Sequence, residues 1–157
     1  MKKSIFEQQV EHYTTKFNST FEELIKKDLS TFTKLYNFNA DNLEAELRVN
    51  SEAFRQFAYN IASSLVVGKI SCTSYAVAVA YLAAKLNIPY SVYTGFCLPK
   101  SHPRFDKEVA DFNAKKSAEN PHPIMATHVY TEIDGVPYEY YNGETSNIEH
   151  IDCVKIH

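Results

Sequence analysis

The sequence predicts an α+β fold in which helices come first and an antiparallel β-sheet then packs on one central, cysteine-bearing helix. Three observations predict it. Apolar residues recur at spacings of three and four through the first half of the chain. After residue 87 the pattern changes to short runs of β-branched and aromatic residues, separated by Pro, Asp-Gly and Asn-Gly. Between the two lies Ala76-Val77-Ala78-Val79-Ala80-Tyr81-Leu82-Ala83-Ala84, a run without charge that reads as a helix buried on most sides. The 157 residues suit one domain, 1–157, helical to about residue 86 and strand-rich from about residue 87.

In chain order, Ile5, Phe6, Val10, Tyr13, Phe17, Phe21, Leu24 and Ile25 make a helical stripe over residues 4 to about 36. Ser19 or Thr20, with Glu22 or Glu23, can restart a second helix, and Phe32, Leu35 and Tyr36 extend the stripe. Residues 37–42 read as a loop ending in an N-cap, and Leu43, Leu47 and Val49 as a short helix. Ser51-Glu52 opens the next helix, with Phe54, Phe57, Ala58, Ile61 and Leu65 on one face, and Gly68 stops it. Ser71 is the expected N-cap of the cysteine helix, which begins at Cys72 and runs to about Leu86. Asn87 reads as its C-cap, and Pro89 prevents continuation. Strands are expected at residues 88–96, 124–133, 136–141 and 151–156, the last at a sheet edge. Pro99, Pro103, Pro121 and Pro123 bracket an insertion with one short helix carrying Phe105, Val109 and Phe112. The insertion is either solvated connection or a flap over a cleft.

Composition narrows the function classes. Apolar residues make up 45% and charged residues 22%, as in an ordinary globular chain. The net charge of −3, without a basic block, argues against nucleic acid and against anionic membranes as partners. No apolar segment follows Met1-Lys2-Lys3-Ser4, so no signal peptide is expected, and no run reaches the length of a membrane span. Three cysteines without a Cys-x-x-Cys motif favour reduced thiols and a cytoplasmic setting. No cofactor is called for, and Cys97, His102 and His122 with His128 or Cys153 match no zinc-ligand spacing, so no metal is expected.

Cys72 is the candidate nucleophile. A thiolate at a helix N-terminus faces unpartnered N–H groups and the positive end of the dipole, which lowers its pKa. Such a thiol needs a base, and the base needs an orienting group. Of six histidines, His12 and His157 sit near the termini, His150 in a late loop, and His102 and His122 in the insertion. His128 differs, because it opens a strand that ends in Asp134-Gly135. Alternation puts His128, Tyr130 and Glu132 on one face and Val129, Thr131 and Ile133 on the more apolar, core-facing one. A two-residue turn places Tyr141 opposite His128; a three-residue turn places Asn142 there and Tyr140 opposite Tyr130. Pro137 favours an irregular turn and hence the second register, in which Asn142 orients His128. Glu139 and Glu144 are the alternatives to Asn142.

The order of these motifs resembles the transglutaminase-like superfamily, and its third site residue resembles that of papain-like cysteine hydrolases. The resemblance rests on Gly68-x-x-x-Cys72 with its Ala-rich helix, on Leu86-x-Ile88-Pro89 leading through Val92 to Gly95, and on the stretch from His128 through Asp134-Gly135 to Asn142. It covers about residues 68–97 and 124–143 and implies a transglutaminase-like core. It also implies Cys72 as nucleophile, His128 as general base and acid, and Asn142 in the place of the usual aspartate. Tyr75, Tyr130 and Tyr140 are the candidates for binding substrate.

The expected chemistry is acyl transfer from an amide or ester through a thioester, of peptidase, deamidase or transglutaminase type. The substrate would be a protein, a peptide or a small amide. The oxyanion would lie on the Cys72 N–H and one further donor, with Asn60, Ser64 and Tyr75 as candidates. Two rival readings use the same fold: an inactive interaction protein with Tyr138, Tyr140 and Tyr141 as an aromatic surface, and an acetyl-CoA-dependent N-acyltransferase.

Overall fold

A computed structural model of the chain describes residues 5–12, 45, 47–64 and 69–157. The expected helices over residues 13–36, the loop at 37–42 and the stop at Gly68 lie outside the described residues. Residues 5–12 are helical, as are residues 47–49 ahead of helix α1 (Ser51–Ser64). Helix α2 (Cys72–Lys85) follows, then strand β1 (Ser91–Pro99), helix α3 (Phe105–Lys115) and strands β2 (His128–Ile133), β3 (Val136–Tyr138) and β4 (Ile148–Lys155). The strands form one four-stranded sheet in the order β3-β2-β1-β4, and every pairing is antiparallel. The fold is α+β, as the switch in periodicity predicts. Among the described residues no helix is long and apolar enough to cross a membrane.

Helix α2 is the centre of the core. Every residue from Ser74 to Ala83 is buried, because small Ala side chains let neighbouring elements approach on all sides. Its ends are closed locally. The Ser71 hydroxyl accepts from the Ser74 N–H at 3.0 Å, and the Ser71 N–H donates to the Ser74 hydroxyl at 3.0 Å, a reciprocal capping box. At the other end Asn87 takes a left-handed φ of 57°, and the N–H groups of Asn87 and Ile88 reach Ala84 O at 3.1 Å and Ala83 O at 2.8 Å. That is a Schellman closure with Leu86 as the C-cap and Asn87 just beyond it, so the cap falls one residue earlier than the expected Asn87.

One face of the sheet rests on the helices. Val129 and Tyr138 join Phe54, Ile61 and the α2 residues in the main core, and the Thr131 hydroxyl donates to Ala76 O at 2.7 Å. Further along β1, Phe96 and Leu98 pack with Phe112 of α3, so the insertion is docked on the sheet through an apolar anchor. The other face carries a third cluster of Cys97, Tyr130 and Ile148 with Tyr93, Tyr141 and Cys153.

Two details of the sheet depart from the expected pattern and shape the site. The β2–β3 hairpin turns on two residues, Asp134 (φ 53°) and Gly135 (φ 75°), and pairs Thr131 with Tyr138 and Ile133 with Val136. This corrects the three-residue turn. Successive left-handed residues make the type I′ turn that matches strand twist, and Pro137 is tolerated because β3 is an edge strand. Strand β4 begins at Ile148, three residues earlier than expected, and its pairing with β1 shifts between Phe96 and Cys97. Phe96 opposes Asp152 while Cys97 opposes His150, which leaves Ile151 as the extra residue of a bulge.

Gly95 lies in both pairings of β1, opposite His128 on β2 and Cys153 on β4. A Cβ there would lie 2.0 Å from Asp152 O and 2.6 Å from Cys153 Cα, both backbone atoms that cannot swing aside. Gly95→Ala is expected to destabilise the fold by about 1–3 kcal/mol or more, the usual range for overpacking. Urea denaturation checks this, and an unchanged midpoint would contradict the tight β1–β4 contact.

Candidate active site

Cys72 is the first residue of α2, half-buried, and set on a helix end whose third amide is already taken by Ser71. Burial pushes its thiol pKa up. The His128 imidazole, through both hydrogen bonding and charge, together with the Val129 backbone N–H and the Thr73 hydroxyl, outweighs that and holds the thiol below its ordinary value. The first residues of β2 therefore meet the beginning of α2 at the sulfur.

His128 is wholly buried, at 0% exposure, and its backbone carbonyl accepts from the Thr94 hydroxyl at 3.0 Å. Its Nε2–H donates to Glu139 Oε1 at 2.9 Å. Its Nδ1 is buried without an aligned hydrogen bond, and it is the nitrogen left to serve the thiol that interacts with the same ring. Burial depresses the imidazole pKa, but Cys72 and Glu139 together raise it above the ordinary value. The rings of Tyr141 and Tyr130 enclose it, with centroids 5.1 Å and 5.9 Å away.

Glu139 is buried just beyond β3. Burial raises its pKa, yet hydrogen bonds from His128 and His150 overcome this and hold the carboxyl below its usual range. His150 donates from Nε2 to the same oxygen, Oε1, at 2.8 Å. The bond to Glu139 raises the His150 pKa against the opposing effect of burial. An ionised carboxylate only accepts, so both imidazoles carry a proton on Nε2. The lone pair of neutral His128 is then on Nδ1, where it can take the proton of Cys72.

The site is a relay of Cys72, His128, Glu139 and His150, running from a helix end through the sheet to its second face. A cavity of about 620 Å³ is lined by Tyr59, Ser63, Lys69, Ile70, Tyr140 and Asn142, and by none of the four relay residues. Among the described residues, no group of three or more His, Cys, Asp or Glu side chains is placed to hold a metal ion.

The structure brings Cys72 and His128 together and puts Glu139, the alternative orienter, on the outer nitrogen of the imidazole. Asn142 is elsewhere. It takes φ 46° in an exposed turn with Gly143, closed by the Tyr141–Glu144 bridge, because Asn-Gly suits two left-handed positions in succession. Asn142 thus edges the cavity while Glu139 holds the histidine. Glu144 accepts from the Ser101 hydroxyl at 2.6 Å. Tyr140 lines the cavity, whereas Tyr75 and Tyr130 are packing residues with 3% and 5% exposure. Tyr75 lies against Tyr140, and Tyr130 is stacked between Tyr93 and the two histidines. His150 belongs to β4 and not to a loop; the sign in the sequence is the apolar pair Ile148 and Ile151 around it. No family model matches the chain, and no curated protein and no solved structure matches it.

The pKa shifts set a stability window. The lowered pKa of Glu139 contributes stability above the unfolded carboxyl pKa, and this is lost as pH falls through the folded value. The raised pKa values of His128 and His150 contribute fully below the unfolded imidazole pKa, and this is lost as pH rises through the folded values. Glu139→Gln is expected to cost about 1.5–3 kcal/mol within the window, the scale of hydrogen bonds to a charged group. The gap from wild type should narrow at both ends of a pH series of urea denaturations. A gap independent of pH would mean that Glu139 is not ionised between the two imidazoles.

Proposed function

We propose that the chain is a cysteine-dependent hydrolase or acyltransferase that opens an amide or ester carbonyl through a thioester on Cys72, on a core of transglutaminase-like type. The observation that carries this reading is the thiol at a capped helix N-terminus, interacting with a buried imidazole whose other nitrogen is bonded to a carboxylate. The resemblance of the motif order supports it, and Glu139 restores the acidic third member that the resemblance expects.

In this mechanism the thiol proton passes to His128 Nδ1, and the sulfur attacks the carbonyl carbon. The developing oxyanion faces the first amides of α2. His128 then gives its proton to the leaving nitrogen or oxygen as that bond breaks, which leaves an acyl thioester on Cys72. Water or an amine, deprotonated by the same nitrogen, attacks the thioester and releases the thiolate. Glu139 keeps the imidazole in the required tautomer and offsets its positive charge when protonated. The cavity walled by Ile70, two residues before Cys72, and by Tyr140, next to Glu139, is where the acyl or acceptor portion would lie.

Two measurements test the reading. Peptide mass analysis should find Cys72 alkylated by iodoacetamide well below the pH range of an ordinary thiol of pKa about 8.5, and His128→Ala should return it to that range. With p-nitrophenyl acetate, an acetyl group should appear on Cys72 and turn over, and His128→Ala should slow turnover by about 10²–10⁴-fold. An ordinary Cys72 titration that His128→Ala leaves unchanged would refute the activated pair.

A further inference from the structure

Behind the catalytic relay, on the second face of the sheet, two further thiols meet. Cys97 on β1 and Cys153 on β4 place their sulfurs 3.4 Å apart. They are not directly opposite in the register, since Gly95 opposes Cys153 and Cys97 opposes His150. The bulge at Ile151 gathers the diagonal pair and His150 against Tyr130. The two sulfurs differ in access: Cys97 is fully buried at 0% exposure, whereas Cys153 is half-buried.

We propose that Cys97 and Cys153 are a redox-active dithiol, in which Cys153 exchanges with a small external disulfide and Cys97 resolves the adduct into an internal Cys97–Cys153 bond. The asymmetry of the pair matches the two roles. The hydrogen bond from Cys97, with further help from the Tyr130 hydroxyl and from His150 and His128, holds Cys153 at about 7 against burial. The neighbouring Cys153 and burial keep Cys97 protonated. Cys153 is therefore the thiolate that reaches solvent, and Cys97 is the thiol that waits beside it.

The exchange balances in two steps. The Cys153 thiolate attacks one sulfur of the external disulfide, that S–S bond breaks, and one small thiolate leaves. Cys97 then attacks Cys153 Sγ, its proton goes to the second departing small thiolate, and the protein disulfide forms. The protein loses two electrons, and the external disulfide is reduced to two small thiols. The sulfurs need only close from 3.4 Å to the about 2.05 Å of a disulfide. Cys72 takes no part, so the dithiol stands or falls apart from the acyl-transfer reading.

The test is incubation of the folded full chain with oxidised glutathione near neutral pH. Unfolding, alkylation of the remaining thiols and peptide mass mapping follow. The expected product joins the Cys97 and Cys153 peptides without retained glutathione, whereas Cys97→Ser should trap glutathione on Cys153. The same link should form in a Cys72→Ser variant. Recovery of both cysteines alkylated, a stable glutathione adduct on wild-type Cys153, linkage of either cysteine to Cys72, or linkage that needs denaturant would each overturn the proposal.

Discussion

The site depends on one buried carboxylate oxygen. Glu139 Oε1 receives both His128 Nε2–H and His150 Nε2–H at 2.9 and 2.8 Å, where burial would otherwise favour a neutral acid. A buried carboxylate with a single neutral partner would be costly, and two imidazole donors make its ionised form stable. The ionised form then dictates the tautomer of His128 and leaves Nδ1 without a proton. In the proposed chemistry Cys72 thus depends on Glu139 through His128, without a contact of its own to that oxygen.

The surrounding fold holds this arrangement from both sides. On one side, Ser71 and Ser74 close the first turn of α2, so Cys72 starts a helix whose axis is fixed by burial from Ser74 to Ala83. On the other, the tight Asp134-Gly135 turn brings the chain back along β2 and delivers Glu139 to the face that carries His128 and Tyr130. The two halves are tied by Thr131 to Ala76 O, a side-chain bond from the sheet to the helix within the dry core. The bulge in β4 adds the third contribution. By strict alternation His150 and Cys153, three residues apart, would point to opposite faces; the extra residue lets both face Tyr130.

Much of the fold is legible in the residues. The Ala-rich run, the N-cap at Ser71 and the left-handed Asn87 before Pro89 mark α2 to within a residue, since each signal is local. The strands around Val92, Val129 and Val136 are equally visible, although their ends are not: β2 starts at His128, four residues after the β-rich stretch begins at Ile124. Strand ends depend on which partner is available, not on the strand's own sequence. In the site, the Cys72–His128 meeting follows from motif order and from a strand-opening histidine. The choice of Glu139 over Asn142 does not, because it turns on a one-residue difference in turn length. Asn142-Gly143 was legible as a turn, and that same left-handed geometry removes Asn142 from the ladder.

The sequence by itself determined the class of fold, the place of Cys72 at the start of α2 and the strand that carries His128, because helix caps, periodicity and turn dipeptides act over a few residues. Tertiary structure alone decided that Glu139 joins two histidines and that Cys97 lies against Cys153. Those contacts link residues 11 and 56 positions apart through a hairpin register and a bulge. Register is set by the summed packing of whole strands against α2 and by the backbone crowding at Gly95, which no local segment encodes.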